Sequence, residues 1–330
     1  MSRPGRARVA ATLVLVALAA LGGLAGASLL YADAEAHADD LTLSPGETFA
    51  RVDGRVLHLA CRGTGEPVVV VDAGTGGWSA DWSPFLELVA ARTRACAVDR
   101  PGYGWSDPAP TPRTSAAAAA NIDAALVQIA PAAPLVLVGH SYGGYDVRLL
   151  AARLGARAAG VVLVEAAHPE QWNRLPAEVS ALLDNGVITL QRVALAAQFG
   201  LVRAMLPASL GPMARRELAR PQHYRTLAAE AGLARESAGQ AGRASDFGSR
   251  PLAVVTAARS FDAFARALPP DVIESANRVW LELQLELTTL SSRSRQFVSP
   301  RATHAIHHDD LPLIVQATWW TLDEAGGTAP

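Results

Sequence analysis

A serine flanked by two glycines is the feature of this sequence that most directly indicates chemistry. Gly139-His140-Ser141-Tyr142-Gly143 fits the pattern G-x-S-x-G, in which the serine hydroxyl serves as a nucleophile. The apolar run Leu135–Val138 before it predicts a strand, and the residues from Tyr142 onward predict a helix. Glycines let such a turn close because they have no side chain to obstruct it. We therefore predict that Ser141 is a nucleophile on a strand-to-helix turn.

A nucleophilic serine needs a general base, which follows late in the chain in proteins with this turn. The sequence has eight histidines, and His304 stands one short loop after a predicted last strand, Gln296–Ser299. We predict that His304 is the base and that His140 points away from the adjacent Ser141.

The same region allows a second interpretation, a metal site, because imidazoles and carboxylates are suitable ligands. The residues concerned are His304, His307, His308, Asp309 and Asp310. Neighbouring residues of one loop rarely converge on an ion without ligands from elsewhere, so we predict no metal.

The elements that must position these residues alternate between strands and helices from Thr42 onward, which predicts a mostly parallel sheet with helices on both faces. Predicted strands are Thr48–Val52, Val56–Cys61, Pro67–Asp72, Thr93–Asp99, Leu135–Gly139, Gly160–Glu165, Leu252–Ala257 and Gln296–Ser299. Residues 168–250 show no strand pattern and predict a helical cap insertion over the carboxyl edge of the sheet, where open sheets bind ligands. Candidates for substrate selection within it are Leu190, Phe199, Leu201 and Met205.

The first 40 residues predict a membrane segment rather than part of the fold. Arginines precede an uncharged apolar run from Val9 to Tyr31, and acidic residues follow it. Such a run can span a bilayer, and the flanking charges place the remainder outside the cytoplasm. We expect a single-pass anchor (1–40) at the cell membrane and an extracytoplasmic catalytic domain (41–330). A cleaved signal peptide, giving a secreted protein, is the alternative.

Composition narrows the possible chemistry further. The chain of 330 residues contains no lysine, which excludes Schiff-base chemistry, attachment of pyridoxal phosphate and Walker-type phosphate loops. Its net charge of -2 gives no reason to expect a nucleic-acid partner.

Several motifs together resemble the α/β-hydrolase fold family, over about Thr48 to Thr318. They are Asp99-Arg100-Pro101-Gly102-Tyr103-Gly104-Trp105-Ser106, Gly139–Gly144, Val161–Glu165 with Ala166-Ala167-His168-Pro169, and Thr303-His304-Ala305-Ile306. The resemblance is greatest to membrane-tethered, esterase-like members. It implies an eight-stranded, mostly parallel sheet, a serine-dependent reaction on a small-molecule ester, and no cofactor.

Two features depart from the usual pattern of the resembled family. The oxyanion loop lacks the usual histidine and reads Asp72-Ala73-Gly74-Thr75-Gly76-Gly77. We expect the backbone N–H of Gly74 or Thr75 to pair with that of Tyr142 as oxyanion donors. In the histidine loop, Thr303 stands in place of the glycine that usually precedes the histidine.

The carboxylate that orients His304 has two candidate positions in the resembled family. Asp262 follows the strand Leu252–Ala257, but it is equally suited to cap a helix. Glu165 ends a buried strand, where a charge is costly without a partner. The cost of burial favours Glu165, and Asp262 is the alternative.

The predicted function is therefore cleavage of an ester through an acyl-enzyme. A peptidase, an amidase or a cofactor-free haloperoxidase on the same fold is the alternative, as is a non-catalytic binding protein. Ser141 argues against dehalogenases and epoxide hydrolases, which use a carboxylate nucleophile.

The resemblance also implies a disulfide. Cys61 and Cys96, the only cysteines, fall on strands that are antiparallel neighbours in that fold. Opposed residues of such strands are close enough for a disulfide. We predict a Cys61–Cys96 bond; two buried thiols are the alternative, because a shift of one residue would separate the side chains.

Overall fold

The computed structural model describes residues 22, 23, 26, 46–110, 112–207, 209–244 and 246–326. Its strands are β1 (Glu47–Val52), β2 (Arg55–Arg62), β3 (Val68–Asp72), β4 (Ala95–Asp99), β5 (Leu135–His140), β6 (Ala158–Val164), β7 (Leu252–Ala257) and β8 (Ser294–Ser299). Its main helices are α1 (Ser83–Val89), α2 (Ser115–Ile129), α3 (Gly143–Leu154), α4 (Gln171–Arg174), α5 (Ala177–Gln198), α6 (Leu201–Met205), α7 (Pro212–Ala219), α8 (Pro221–Gly232), α9 (Ala234–Arg243), α10 (Pro270–Leu287), α11 (Ile306–Asp309) and α12 (Leu311–Gly326).

The strands form one eight-stranded sheet in the order β1-β2-β4-β3-β5-β6-β7-β8. β2 is antiparallel to β1 and β4, and every other pairing is parallel. All residues of β3, β4, β5 and β7 are buried, as expected for parallel strands covered on both faces. The predicted sheet is confirmed, and each predicted strand boundary lies within two residues of the observed one.

Helices cover both faces of this sheet because alternate side chains of each strand point to opposite faces. On one face Ile122 and Leu126 of α2 pack with Val147 and Leu150 of α3 against the strands. On the other face the buried side chains come from α1 and α12, among them Phe85, Leu86, Ile314 and Ala317. The sheet is therefore held between two apolar layers, with its carboxyl edge left to the loops.

A disulfide joins Cys61 of β2 to Cys96 of β4, as predicted. The two residues stand directly opposite each other in the antiparallel register, with Cα atoms 4.1 Å apart. This register places both side chains on the same face of the sheet, so the alternative of two separate thiols is not observed.

The segment between β6 and β7 contains α4 to α9 and, in its described residues, no strand. Its helices contact the loops that follow β3, β4 and β5. Glu230 of α8 binds Arg100, Ser237 of α9 binds the hydroxyl of Tyr142, and Leu227 of α8 approaches Gly76. These contacts place α8 and α9 beside the carboxyl edge of the sheet.

The membrane segment predicted from Val9 to Tyr31 lies outside the described residues, apart from residues 22, 23 and 26. Within the described part of the chain, no helix combines the length and the apolar character needed to cross a membrane.

Candidate active site

Ser141 stands at the turn between β5 and α3 with a backbone φ of +52°. A residue other than glycine is strained in this region, so the surroundings must hold it there. Its N–H donates to the carbonyl of Val164 (3.1 Å), and its carbonyl accepts from the N–H groups of Gly144 and Ala167. These bonds tie the turn to the end of β6 and direct Ser141 toward the carboxyl edge.

Both glycines of the turn are required by close backbone contacts. A Cβ atom on Gly139 would stand 2.5 Å from the carbonyl oxygen of Gly143. A Cβ atom on Gly143 would stand 2.4 Å from the carbonyl oxygen of Asp72 at the end of β3. The G-x-S-x-G spacing is therefore a packing requirement of this turn.

The structure brings together the three side chains that sequence reasoning chose for catalysis. His304 Nε2 is 2.9 Å from Ser141 Oγ, and His304 Nδ1 is 3.1 Å from Glu165 Oε2. Both distances are within hydrogen-bond reach. Because a carboxylate only accepts, Nδ1–H donates to Glu165, which leaves Nε2 free to accept the serine proton.

Glu165 is fully buried and follows β6 with a φ of +47°. Oε1 accepts from the N–H of Ala257 at 2.6 Å. Oε2 accepts from Ser260 Oγ at 2.5 Å and from Trp280 Nε1 at 3.0 Å, in addition to His304. These donors supply the partners without which a buried charge would be costly.

Asp262, the alternative acid, is not in contact with His304. Its carboxylate pairs with Arg259 and accepts a hydrogen bond from Asn277. The residue after β7 that does belong to the site is Ser260, which sequence reasoning missed although it stands only two positions earlier. Trp280 was also missed, because nothing in the pattern of α10 distinguishes it from an ordinary core residue.

The expected oxyanion loop passes close to Ser141. A Cβ atom on Gly74 would be 3.0 Å from Ser141 Cβ, so the missing side chain permits this approach. The carbonyl of Gly74 is occupied by Arg100 Nη2 at 2.9 Å. Thr75 and Tyr142 line the same cavity as Ser141 and His304. The three predicted donor residues are thus all next to the serine.

We predicted that His140 points away from Ser141, but its side chain lies beside His304 of the site. Its Nε2 is 3.1 Å from the carbonyl oxygen of His304, and their rings are 5.2 Å apart. Burial, then the neighbouring imidazoles of His304 and His307, lower the pKa of His140 well below its ordinary value. The neutral ring therefore supports the backbone that carries His304.

The remaining members of the histidine loop have partners of their own. His307 stacks on Trp82 with ring centroids 5.4 Å apart, and burial lowers the pKa of His307 to about 4. Asp309 accepts hydrogen bonds from the N–H and the hydroxyl of Thr303, the residue that stands in place of the usual glycine. Nowhere in the described residues do three or more His, Cys, Asp or Glu side chains form a group that could hold a metal ion.

A cavity of about 500 Å³ opens above Ser141 and His304, between the sheet and helices α4, α5, α8, α9 and α10. Leu190 lines it, as expected of a residue that influences substrate selection. Leu201 and Met205 do not line it and are 54% and 83% exposed, and Phe199 is absent from its walls. These three follow the middle of α5, the part of the helix that runs past the cavity.

The chain belongs to the alpha/beta hydrolase fold family, whose profile matches residues 66–250, more than half of the sequence. Solved structures with this fold are similar over most of the chain. The Cif epoxide hydrolase from Acinetobacter nosocomialis is 16% identical, with a TM-score of 0.64 over 91% of this chain and 96% of that one. A thermophilic esterase from Thermogutta terrifontis is 20% identical, with a TM-score of 0.56 over 84% of this chain and 98% of that one. At these identities the likeness concerns the fold alone.

Sequence relatives share only part of their length with this chain. An uncharacterized protein of Schizosaccharomyces pombe is 37% identical over 90 residues, which are 27% of this chain and 16% of that protein. An uncharacterized vacuolar membrane protein of Saccharomyces cerevisiae is 34% identical over 109 residues, 32% of this chain and 17% of that protein. The match thus covers less than a fifth of either relative.

Proposed function

We propose that the protein is a serine hydrolase that cleaves a small-molecule ester through an acyl-enzyme on Ser141. The observation that carries the proposal is the continuous chain of hydrogen bonds from Ser141 through His304 to the buried Glu165. In this arrangement a serine is activated by an adjacent base, and a carboxylate keeps the base in the required tautomer.

In the first half of the reaction, Ser141 Oγ attacks the ester carbonyl carbon while its proton moves to His304 Nε2. The negative charge that develops on the carbonyl oxygen is stabilised by the N–H of Tyr142 together with that of Gly74 or Thr75. As the intermediate collapses, the ester C–O bond breaks and His304 returns the proton to the departing alcohol. The acyl group remains on Ser141.

In the second half, a water molecule attacks the acyl carbon and gives its proton to His304 Nε2. The bond between the acyl carbon and Ser141 Oγ then breaks, and His304 protonates the serine again. The products are a carboxylic acid, an alcohol and the original enzyme. All groups required for these steps belong to the chain itself, so the mechanism uses no cofactor.

The nature of the nucleophile favours acyl transfer over the other reactions catalysed by proteins of similar structure. A carboxylate nucleophile forms an ester with the substrate that water can hydrolyse, whereas a serine alkylated by an epoxide or a haloalkane would form a stable ether. Ser141 therefore supports ester or amide hydrolysis. The ordered hydrogen-bond chain at this serine also argues for catalysis rather than for a binding protein.

We further propose that residues 168–250 act as a cap over the cavity, and that residues 1–40 anchor the hydrolytic domain (41–330) outside the cytoplasm. The contacts of α8 and α9 with the carboxyl edge support the first proposal. The charge pattern around residues 9–31 supports the second, with a cleaved signal and secretion as the alternative.

Kinetics of two single variants and their combination test the catalytic assignment. Ser141→Ala and His304→Ala are each expected to lower kcat for a p-nitrophenyl ester by at least about 10³-fold. The double variant should be little worse than either, because the groups act as one unit.

His308→Ala is the matched control, since His308 contacts His307 but not Ser141. The wild type, but not Ser141→Ala, should also be labelled by a fluorophosphonate. Retention of normal ester hydrolysis by His304→Ala would show that the base is wrong, and a panel that favours aminoacyl anilides over esters would make the protein an amidase.

A further inference from the structure

The cavity above Ser141 contains no unpaired charge that could bind a charged substrate. Among its described lining residues, Asp184 is the only carboxylate and no arginine is present. Asp184 pairs with Arg235 at 2.8 Å, and both side chains are more than half exposed, which places the pair at the outer margin. A carboxylate or phosphate on a substrate would therefore lose water without gaining a partner.

Four of the polar side chains in the walls direct their polar atoms to other protein groups. The hydroxyl of Tyr145 donates to the carbonyl of His168 (2.9 Å), and that of Tyr142 bonds to Ser237 (2.7 Å). Ser260 and Trp280 donate to Glu165. Thr75, Gln171 and the indole of Trp172 are the other polar groups of the wall, and the rest is largely apolar, with Leu175, Leu182, Leu190, Leu227, Phe261 and Phe264. A ligand in the cavity thus meets mainly carbon, apart from the reacting groups.

We propose that the substrates of this site are uncharged esters with an apolar acyl chain of medium length. The cavity of about 500 Å³ holds roughly sixteen water-sized groups at about 30 Å³ each, which suits an acyl chain of about six to ten carbons together with a small alcohol. The substrate class rests on the proposed ester hydrolysis, and its tests are chosen to separate the two.

A matched pair of esters tests the exclusion of charge. p-Nitrophenyl hexanoate and the mono-p-nitrophenyl ester of adipic acid have acyl chains of the same six-carbon length, but the second ends in a carboxylate. We expect kcat/KM for the charged ester to be at least about 100-fold lower, because its carboxylate would be desolvated without a partner. Equal values for the two esters would overturn the proposal.

A chain-length series tests the size of the cavity. From acetate to hexanoate, kcat/KM of p-nitrophenyl esters should rise about fourfold for each buried methylene. It should fall again for hexadecanoate, which exceeds the cavity. A value that stays flat from acetate to hexadecanoate would contradict an apolar cavity of this size.

Gly186 offers a way to reduce the cavity without disturbing the fold. It lines the cavity on α5, and a Cβ atom added there meets no other atom within 4 Å. Gly186→Leu should shift the optimum to shorter acyl chains, because its side chain would fill about four carbon volumes of the cavity. Gly239→Leu is the matched control: Gly239 lies on α9, has equally open surroundings and does not line the cavity. An unchanged optimum in Gly186→Leu, or the same shift in Gly239→Leu, would contradict the assignment.

Binding to Ser141→Ala separates the substrate class from the proposed chemistry. Tryptophan fluorescence should report binding of methyl octanoate, through Trp172 and Trp280 in the walls, and at least tenfold weaker binding of monomethyl suberate, its carboxylate-bearing counterpart. If the variant shows this preference but the wild type hydrolyses no ester, the proposed function is refuted, whereas the assignment of an uncharged apolar ligand stands. Hydrolysis without the preference would refute the substrate class alone.

Discussion

Three hydrogen-bond donors share a single oxygen of Glu165, the proposed acid of the site. Ser260, Trp280 and His304 all donate to Oε2, while Ala257 alone donates to Oε1. The shared donors hold this oxygen 3.1 Å from His304 Nδ1. If His304 is the base as proposed, Ser260 and Trp280 serve as positioning residues for it.

Replacement of each candidate acid by its amide distinguishes Glu165 from Asp262. Glu165→Gln should lower kcat by about 10³-fold or more, because an amide does not hold His304 in the tautomer that accepts the serine proton. Asp262→Asn should reduce kcat by less than about threefold, since the Asp262 carboxylate pairs with Arg259 and with Asn277 of α10 and makes no contact with His304. Steady-state kinetics on folded variants provides the measurement. The reverse order of effects would assign the acid to Asp262.

Trp280→Phe tests the positioning role by removing one donor and keeping an aromatic wall. We expect kcat to fall about tenfold with little change in KM, because a hydrogen bond to a charged group contributes about 1.5–3 kcal/mol. Trp172→Phe is the control, since Trp172 lines the same cavity but makes no bond to Glu165. If both variants change KM and neither changes kcat, the indole of Trp280 lines the cavity but does not position Glu165.

At the scale of elements, a fully buried Arg100 joins the oxyanion loop to helix α8. Its guanidinium donates to the carbonyls of Ala73 and Gly74 and forms two bonds to Glu230, at 3.1 and 3.0 Å. Asp72 and Asp146 add two more buried carboxyls beside it. Burial, then the charge of Asp72, raises the pKa of Asp146 well above its ordinary value. Arg100 thus lies among three buried carboxyl groups and counters their negative charge.

Glu230→Gln should weaken the buried network around Arg100 strongly. Removal of one charge from a buried pair typically costs about 3–5 kcal/mol, so we expect a decrease of this size in the free energy of unfolding measured with urea. Asp184→Asn is the control in the same helical segment: its exposed pair with Arg235 should contribute less than about 1 kcal/mol. Similar stability losses in the two variants would show that the buried pair does not hold α8 to the sheet.

A buried histidine links the three strands at one side of the sheet and makes stability depend on pH. His58 of β2 bonds to Asp99 of β4 at 2.6 Å and to Glu47 of β1. Burial alone would lower the pKa of His58, but the two carboxylates outweigh burial and raise it above 6.5. A group with a raised folded-state pKa stabilises the protein below its unfolded pKa, and this contribution is lost as pH rises through the folded value.

We therefore expect the stability advantage of the wild type over His58→Gln to be largest below about pH 6 and to shrink as the pH is raised. Urea unfolding of both proteins at a series of pH values measures the difference. An advantage that is constant or grows with pH would mean that His58 is neutral in the folded protein.

The elements themselves were largely predictable from local sequence, whereas the contacts between them were not. β7 was predicted residue for residue because its buried apolar run is bounded by Pro251 and Ala258-Arg259. β8 was predicted two residues short, since its exposed side alternates with polar residues. Ser141, His304 and Glu165 were proposed from motifs and burial cost, and their side chains lie within hydrogen-bond distance of one another. The bonds of Ser260 and Trp280 to Glu165 join residues 95 and 115 positions apart, so no local sequence pattern could predict them.

At the scale of the whole molecule, the Cys61–Cys96 disulfide bears on the compartment in which the protein folds. Disulfides persist in oxidising compartments, which agrees with the proposed export of the domain. Exported protein, denatured without reductant, should resist alkylation at Cys61 and Cys96, and it should gain two labels after reduction. Two freely alkylated thiols without reductant would contradict the bond.

A Cys61→Ala/Cys96→Ala variant should lose about 2–4 kcal/mol of unfolding free energy, since the bond closes a loop with a sequence separation of 35. A C-terminal reporter that functions only in the cytoplasm is the companion measurement. Activity of that reporter would show that the proposed orientation is inverted.

Both ends of the described domain leave the sheet at the edge opposite the cavity. The carbonyl of Gly46 accepts from the N–H of Cys61, beside the start of β4. At the other end, Asp323 and Glu324 of α12 pair with Arg92 and Arg293, which precede β4 and β8. A resin, an electrode or a fusion partner coupled through either end would therefore face away from the site. Enzyme immobilised in this way should retain the turnover of the free enzyme, whereas coupling through the helices between β6 and β7 should obstruct the passage of reactants.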